Sequence, residues 1–432
     1  MPRTEASVLG VFLFSSALGL AACAYDAPAV DGIEGAIGRG GEGPPPDAAP
    51  PSTPAPHAPD AAANGDGDGL DRDVLRPASR APTDALIASL RLPEGFSIGV
   101  YARDLKHARM LGVHGTHVYL TRPNQGDVLR LIDADGDGVA EQRVTVASGL
   151  EGVHGITFHE TQVFLATPTH VYRADVDPAG NFGAPTAIID DLPAGGQHPN
   201  RTLAIGPDQK LYVSVGSSCD ACRETDPEHA TLLRATRDGA TRAVFARGLR
   251  NTLGFGWHPE TGALWGMDHG SDWRGDDLPP EELNHIEAGR DYGWPYCFGD
   301  KQIDFVIQDP PDMSKQAYCA KTTAPVRTNQ AHDAPIGLAF YTADQFPAAY
   351  RNSAFVAFRG SWNRDPATGY KVGRVVFQQG EPVAIEDFVT GFLIEDGKAQ
   401  FGRLAGIAVA PDGSLLFTDD ENGVVYRVHH AK

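Results

Sequence analysis

The chain has 432 residues, a formal net charge of −20 and a hydrophobic content of 41%. This hydrophobic content is sufficient for a large buried core, and the acidic charge argues against nucleic acid as a partner. The excess of carboxylates is interpreted as a contribution to solubility.

Residues 1–22 have the features of an export signal. Their apolar run, residues 8–22, is shorter than a typical membrane-spanning helix and has the length of a signal core. The run ends in LAAC, with the cysteine at position 23, and this tetrapeptide resembles a bacterial lipobox. We therefore predict an exported protein, lipid-anchored through Cys23 in the cell envelope (outer membrane, periplasm or cell surface), with no other membrane contact. The alternative is an ordinary cleaved signal peptide without a lipid on Cys23.

Residues 23–82 are rich in Pro, Ala, Gly and Asp, as in the stretch GPPPDAAPPSTPAPHAPDAAANGDGDG. Such a composition buries too little apolar surface to offset the entropy that is lost on ordering. This segment is therefore predicted to be a disordered linker that tethers the N-terminus to a folded domain.

Residues 83–432 contain a recurring pattern of short β-rich runs separated by turns. The alternation in KLYVSV (210–215) indicates a strand, and PDG (411–413) is a turn sequence. Six units of this kind predict an all-β fold, a six-bladed β-propeller. The early run FSIGVYAR (96–103) is expected to pair with the last unit and close the ring. The long segment 270–335 is expected to contribute loops to a site on one face.

Four cysteines lie within the predicted domain, an even number in a chain that is predicted to be exported. This favours structural disulfides, for which the simplest pairing is Cys219–Cys222 and Cys297–Cys319. A redox-active or metal-binding CxxC at Cys219 and Cys222 is the alternative. A c-type haem site is excluded, because Arg223 takes the place of the histidine that such a motif requires.

An Arg-Asn pair, Arg250 and Asn251, directly precedes the apolar run of the fourth unit, and other units carry Arg201, Arg359 and Arg403. Residues at the start of an inner propeller strand are expected to point toward the central channel. Several unpaired cations there would be costly, and a polycarboxylate ligand would satisfy them through bidentate contacts. The alternative is that each arginine caps a strand or pairs with a nearby aspartate.

Four long motifs carry a family resemblance. They are HPNRTLAIGPDQKLYVSVGSSC from residue 198, GLRNTLGFGWHPETGALWGMDHGSD from residue 248, NHIEAGRDYGWPYC from residue 284 and GIAVAPDGSLLFTDD from residue 406. These motifs resemble the glucose/sorbosone dehydrogenase family, whose members are six-bladed propellers that use pyrroloquinoline quinone (PQQ). The resemblance implies a PQQ- and calcium-dependent oxidoreductase that oxidises an aldose sugar or a sorbosone-like aldehyde at C1 by hydride transfer to PQQ. Without a haem motif of its own, such an enzyme would need an external electron acceptor, a cytochrome or a quinone.

The resemblance also implies roles for individual residues. His198 corresponds to the family's general base, which removes the proton of the sugar's C1 hydroxyl. The positions that match the family's PQQ contacts are Arg250, Asn251, Arg359 and Arg403. Two positions depart from the family pattern: Gln197 stands where a known member has Asp, and Phe401 stands where that member has a further arginine.

A calcium ion beside PQQ is a further implication of the resemblance, with the backbone carbonyl groups of Gly270 and Ser271 as its protein ligands. The loop that follows is acidic, and Asp272, Asp277 and Glu282 are candidate ligands for a second, structural calcium. A solvated acidic loop is the alternative.

Further candidates concern the substrate side of the site, namely Gln197, Trp362, His154 and His332. Trp362 is expected to face the cofactor or the sugar, whereas the two histidines either line the channel or serve packing. An Asp-rich turn at 133–141 follows the start of an EF-hand loop, but Val144 occupies the position that requires glutamate. This turn is therefore interpreted as a hairpin with weak calcium affinity at most.

Two other functions are weighed against the dehydrogenase. A calcium-dependent propeller lactonase or hydrolase would need carboxylate ligands that converge in the channel, whereas the units here supply arginines and a histidine. A non-catalytic ligand-binding propeller is favoured by the departures at Gln197 and Phe401. PQQ affinity separates the dehydrogenase from the binding protein, and lactone hydrolysis identifies the lactonase.

Overall fold

The computed structural model describes residues 74–431. The predicted signal peptide, Cys23 and most of the predicted linker lie outside the described residues. Within 74–431, no helix has the length and apolar character needed to cross a lipid bilayer.

Six four-stranded antiparallel sheets form the blades of a propeller, and the innermost strands of neighbouring blades lie side by side around the axis. The elements before the first blade are β1 (Ala78–Ser79), α1 (Asp84–Ala88) and β2 (Phe96–Ala102). Blade 1 consists of β3 (Leu111–His114), β4 (His117–Arg122), β5 (Asp127–Ile132) and β6 (Gln142–Ala147). Blade 2 consists of β7 (Ile156–His159), β8 (Gln162–Ala166), β9 (Val171–Asp175) and β10 (Thr186–Ile189).

The third and fourth blades carry the motifs of the predicted site. Blade 3 consists of β11 (Leu203–Ile205), β12 (Leu211–Val215), β13 (Thr231–Ala235) and β14 (Arg242–Arg247). Blade 4 begins with β15 (Gly254–Trp257), β16 (Leu264–Asp268) and β17 (Glu281–His285). An insertion follows, with β18 (Cys297–Phe298), β19 (Gln302–Ile303) and α2 (Lys315–Cys319), before the outermost strand of this blade, β20 (Arg327–Asn329).

The last two blades complete the ring. Blade 5 consists of β21 (Pro335–Phe340), β22 (Ala354–Phe358), β23 (Lys371–Gln378) and β24 (Glu381–Val389). A small hairpin follows, β25 (Leu393–Ile394) and β26 (Ala399–Gln400), and then β27 (Leu404–Val409), β28 (Leu415–Asp419) and β29 (Val424–His430) of blade 6. Short 3₁₀ turns occur at Pro123–Gln125, Ala348–Tyr350 and Glu395–Gly397.

Ring closure joins the two ends of the described chain. Strand β2 pairs antiparallel with β29, from Phe96 opposite His430 to Ala102 opposite Val425, and becomes the outermost strand of blade 6. The predictions of an all-β six-bladed propeller and of closure by the early strand are therefore confirmed.

Burial within each blade follows from the stacking of blades on one another. All residues of β12 and β22 are buried, because each of these second strands is covered on both faces by neighbouring blades. Aromatic side chains fill the wedge between blades 5 and 6, where Phe355, Phe417 and Tyr426 are fully buried. The alternating runs in the sequence therefore encode a continuous apolar ring around the axis.

Glycines permit the close approach of the innermost strands. A Cβ atom on Gly254 of β15 would lie 2.8 Å from the carbonyl oxygen of Ile336 in the next blade. A Cβ atom on Gly337 of β21 would lie 2.6 Å from the carbonyl oxygen of Ala405. Any larger residue at these positions would force the blades apart.

Two disulfides are present, Cys219–Cys222 and Cys297–Cys319, as predicted. The first lies in the loop after β12, and the second joins β18 to α2 within the blade 4 insertion. The predicted pairing is confirmed.

Removal of the second disulfide is expected to destabilise the protein more than removal of the first. The chain-entropy relation assigns about 3 kcal/mol to the loop between Cys297 and Cys319, and about 2 kcal/mol to the short loop between Cys219 and Cys222. Thermal unfolding of the two double Cys→Ser variants measures the difference. A larger loss of Tm for the Cys219/Cys222 variant would contradict this expectation.

Candidate active site

A cavity of about 110 Å³ lies where the first residues of several innermost strands meet. An adjoining cavity of about 370 Å³ shares Arg76, Arg109, Asn200, Arg359 and Arg403 with it. The predicted site residues that line the smaller cavity are Gln197, His198, Arg250, Asn251, Gly270, Asp272, His332, Arg359, Trp362 and Arg403. The structure therefore brings together most of the residues that the sequence singled out.

The backbone of the Arg-Asn pair is fixed by Asp268, the last residue of β16. One carboxylate oxygen of Asp268 accepts from the N–H of Arg250 at 2.9 Å. The other accepts from the N–H of Asn251 at 2.9 Å and from the hydroxyl of Thr252 at 2.7 Å. Blade 6 repeats the arrangement, because Asp419 at the end of β28 accepts from the N–H of Arg403 at 3.0 Å.

Burial of Asp268 makes its ionised form costly, and burial raises the pKa of this carboxyl group to about 6. The three hydrogen bonds and the nearby Arg250 guanidinium oppose that effect. Asp268 therefore acts as a buried anchor that turns Arg250 and Asn251 toward the cavity.

The guanidinium group of Arg250 is paired within the protein. It donates to Asp220 Oδ1 at 2.9 Å and to Asp272 Oδ2 at 3.0 Å, and its Nε donates to the carbonyl oxygen of Asp220 at 2.9 Å. Asn363 contacts the remaining oxygen of Asp272 at 3.2 Å. The predicted alternative, an aspartate partner, therefore holds for Arg250, whose orientation is fixed by this network.

Arg359 and Arg109 share one carboxylate. Arg359 donates to the two oxygens of Asp420 at 2.9 Å and 3.2 Å, and Arg109 makes a very short ion pair with the same side chain. Both guanidinium groups are therefore held at this end of the cavity by a shared carboxylate.

Arg403 is the least satisfied of the predicted cations. Its side chain is buried, with 2% of the residue exposed, and it donates to the carbonyl oxygen of Gly360 at 3.1 Å. Its Nε has no hydrogen-bond partner within the described residues, and neither has the buried Oδ1 of Asn251. Burial, followed by the positive charge of Arg359, lowers the pKa of Arg403 to about 9.

His198 lies at the end of the loop before β11 and lines the smaller cavity. Its Nδ1 is 2.9 Å from the carbonyl oxygen of Ser217 and 2.9 Å from the Ser217 hydroxyl, which itself donates to the carbonyl of Cys219 at 2.7 Å. Both neighbours of Nδ1 are acceptors, so the proton of the neutral ring is assigned to Nδ1 and Nε2 keeps its lone pair. Burial, with Arg250 as the second cause, holds the pKa of His198 well below 6.5.

Three further residues of the cavity wall were not selected from the sequence: Arg76, Arg109 and His269. Arg109 precedes Gly112 at the same spacing as Arg403 precedes Gly406, so the repeat itself could have revealed it. His269 donates to the carbonyl of Pro335, and burial together with Arg250 lowers its pKa to about 3.

The loop after β16 presents the two backbone carbonyls that the family resemblance assigned to calcium. Glu281 fixes this loop, because its carboxylate accepts from the N–H of Gly270 at 3.0 Å and of Ala334 at 2.9 Å. Burial raises the pKa of Glu281 to about 8. The indole N–H of Trp294, itself buried, donates to the hydroxyl of Ser271 at 3.2 Å.

The three carboxylates proposed for a second calcium lie apart from one another. Asp272 pairs with Arg250, whereas the side chain of Asp277 is 83% exposed and pairs with Arg364. Glu282 is buried and accepts from the N–H of Gly299 at 2.6 Å. In the described part of the chain, carboxylates converge instead in the Asp-rich turn at 133–141.

The substrate-side candidates divide into two groups. Gln197, Trp362 and His332 line the cavity, with Trp362 packed edge-on against Trp273 at 5.2 Å between ring centres. His154 is fully buried. Its Nε2 accepts from Arg109 at 3.1 Å, and its Nδ1 contacts the carbonyl oxygen of Arg201 at 3.1 Å. His154 therefore positions Arg109 and does not line either cavity.

Asp268→Asn is expected to lower the free energy of unfolding by about 2 kcal/mol, because the amide leaves at least one buried N–H without an acceptor. Asp238→Asn, in an exposed turn where the carboxylate accepts from Ala240, is the matched control and should cost less than about 0.5 kcal/mol. Urea denaturation of both variants measures the difference. Equal losses in the free energy of unfolding would show that Asp268 contributes no more to stability than the exposed Asp238.

The sequence and the fold of this chain were compared with those of known proteins. Over 256 residues, or 54% of this chain and 60% of the other, the sequence is 28% identical to the aldose sugar dehydrogenase YliI of Escherichia coli. The fold is similar to the holo form of the pyranose dehydrogenase PQQ domain from Coprinopsis cinerea, with a TM-score of 0.66, 19% identity and coverage of 83% of this chain and 100% of that one. A calcium structure of the carbohydrate-active enzyme family AA12 protein of Trichoderma reesei has a TM-score of 0.66 at 18% identity, with coverage of 84% and 100%.

These likenesses confirm the resemblance to the PQQ-dependent sugar dehydrogenase propellers that the sequence motifs indicated. The sequence pattern described as TrAA12-like matches residues 90–431, which includes all six blades. The chain therefore belongs to the TrAA12-like family.

Proposed function

We propose that this protein is an oxidoreductase that oxidises an aldose sugar or a sorbosone-like aldehyde at C1, with PQQ and calcium as cofactors. One observation carries the proposal: His198, whose pKa lies well below 6.5, and Arg403, whose buried Nε has no hydrogen-bond partner within the described residues, line the same cavity. The proposal is supported by the similarity to an aldose sugar dehydrogenase and to a pyranose dehydrogenase PQQ domain.

The residues present fit PQQ, which is a tricarboxylate. Among the described residues, the buried Nε of Arg403 has no acceptor and the buried amide oxygen of Asn251 has no donor, and both residues line the cavity. A ligand carboxylate would supply the acceptor for Arg403 through a charge-assisted hydrogen bond, and a ligand N–H or O–H group would supply the donor for Asn251. Arg250, Asn251, Arg359 and Arg403 would therefore hold the cofactor.

The loop at Gly270 and Ser271 fits a calcium ion. Among the described residues, neither carbonyl oxygen accepts a hydrogen bond, and oxygen ligands of this kind suit calcium. Glu281 and Trp294 hold the loop in place through Gly270 and Ser271. These two carbonyl groups would supply the protein's ligands to the ion.

When bound, PQQ supplies a quinone that accepts the hydride from C1, and calcium increases the electrophilicity of that quinone. His198 Nε2 would accept the proton of the C1 hydroxyl, because its lone pair is free while Nδ1 donates to Ser217. Burial of the imidazole, and secondly the positive charge of Arg250, lower the pKa of His198 and so keep the ring neutral and competent as a base. The proton thus moves to Nε2 while two electrons leave the sugar, and an external cytochrome or quinone would receive these electrons in turn.

The hydrolase alternative is less well supported by the cavity. Two carboxylates line the smaller cavity, Asp272 and Glu281. Asp272 pairs with Arg250, and Glu281 accepts from backbone N–H groups. A lactonase that binds calcium through side-chain carboxylates would need these groups to face the ligand.

Export and lipid anchoring through Cys23 remain proposals that rest on the N-terminal sequence. The two disulfides agree with export, because disulfides form in oxidising compartments outside the cytosol.

His198→Ala is expected to abolish turnover while PQQ binding is retained. Loss of a general base costs about 10²- to 10⁴-fold in rate, whereas Arg250, Arg359 and Arg403 remain to bind the cofactor. The measurement is a PQQ titration in calcium buffer, followed by dye reduction with a panel of aldoses and sorbosone. His170→Ala, a half-buried histidine outside both cavities, is the control. If the wild-type protein binds no PQQ, the cofactor assignment fails; if His198→Ala retains full turnover, the base assignment fails.

The acid limb of kcat/KM is expected to lie well below pH 6.5. A base with a lowered pKa stays neutral, and therefore active, until the pH falls well below the ordinary histidine value of 6.5. The measurement is kcat/KM between about pH 4.5 and 8 with the cofactor-loaded enzyme and an acceptor dye that is insensitive to pH. Half-loss of activity at pH 6.5 or above would contradict the assigned environment of His198.

A further inference from the structure

The segment 74–80, which the sequence assigned to the linker, is docked on the propeller. Strand β1 pairs in parallel with β26 of the small hairpin before blade 6. The N–H of Ala78 donates to the carbonyl of Lys398 at 2.9 Å, and the N–H of Arg80 donates to the carbonyl of Gln400 at 2.8 Å. Pro77 is buried against this face. The segment therefore has a defined path beside the loop that leads into Arg403.

This path brings Arg76 to both cavities. Arg76 is exposed and lines the smaller and the larger cavity. No hydrogen bond or ion pair joins it to another residue in the described part of the chain. Its charge acts on Arg403, whose pKa is lowered by burial, then by Arg359, and to a smaller extent by Arg76. Two cations from distant parts of the sequence thus face one space.

The carboxylates nearby are already engaged. Asp420 is shared by Arg109 and Arg359, and Glu421 accepts from the side-chain amide of Gln400 at 2.9 Å. Arg403 remains 98% buried with an unpartnered Nε. A buried guanidinium of this kind is costly unless an anion meets it, and within residues 74–431 no carboxylate forms a direct ion pair or hydrogen bond with the Arg403 side chain, although the charge of Asp420 acts on it from a distance.

We propose that the docked segment 74–80 brings Arg76 into the ligand site, and that Arg76 and Arg403 together bind a carboxylate group of the ligand. Two ligands could supply this carboxylate, PQQ or an acidic sugar substrate. The choice of these two ligands rests on the proposed function. The carboxylate chemistry itself follows from the two cations and from the planar, bidentate geometry that guanidinium groups offer.

The main test uses the full chain and the variants Arg76→Ala and Arg80→Ala. Arg80 is the matched control, because it lies in the same segment, carries the same charge and pairs with Glu395 outside the cavities. If PQQ supplies the carboxylate, Arg76→Ala should weaken PQQ binding about tenfold, as expected for one charge-assisted contact. If an acidic sugar supplies it, PQQ affinity should stay constant while KM for glucuronate rises about tenfold and KM for glucose does not change. Arg80→Ala should change none of these quantities.

A second variant tests the docking of the segment. Ala78→Pro combined with Arg80→Pro removes both backbone donors to the hairpin and should reproduce the binding defect of Arg76→Ala. Thermal unfolding without ligand serves as the folding check, since the propeller should retain its Tm. Unchanged binding in both Arg76→Ala and the double proline variant would overturn the proposal.

Citrate, a simple tricarboxylate, separates this proposal from the proposed function. If the wild-type chain neither binds PQQ nor oxidises any sugar, the proposed function fails. The carboxylate site is then decided by citrate alone: the rise in Tm that citrate causes in the wild type should be lost in Arg76→Ala. No rise, or an equal rise in both proteins, would refute the site.

Discussion

The close approach of the innermost strands around the axis is the constraint on which the rest of this structure depends. At Gly254 and Gly337 the backbone of one blade lies directly against the backbone of the next. The residues that precede the innermost strands therefore meet at one end of the axis, where residues from the loops after the second strands, such as Gly270 and Arg359, join them. Arg109, Arg250 and Arg403 reach one cavity for this reason, although they come from blades 1, 4 and 6.

Carboxylates of the protein hold several of the arginines at this cavity. Asp220 and Asp272 satisfy Arg250, and Asp420 is divided between two arginines. The aspartates at the ends of second strands bind backbone N–H groups instead, and so fix the direction of the arginines without using all of their charge. The cations are thus held in place before a ligand arrives, which lowers the ordering cost of binding.

The sequence was sufficient for the fold and for much of the site, because both are encoded in a local repeat. Strand alternation and turn residues recur in the units, and an arginine precedes the innermost strand in blades 1, 3, 4 and 6, so blades, closure and the positions of Arg250 and Arg403 followed. The cysteine pairs followed from their spacing. Arg76 could not be predicted in this way: its segment has a linker composition, and its partner strand lies more than 300 residues away. The scatter of Asp272, Asp277 and Glu282 depends on the path of the irregular loop between β16 and β17, which has no sequence periodicity.

The pairing of β2 with β29 has a consequence for how the protein comes into being. Because β29 follows the other described strands along the chain, blade 6 stays incomplete until β29 has been synthesised, and the ring cannot shut before then. Such a long-range pairing carries a loop-closure cost and makes folding slow. A chain that stopped before β29 would contain Arg109, Arg250 and Arg403 but would lack the closed ring that brings them to one cavity.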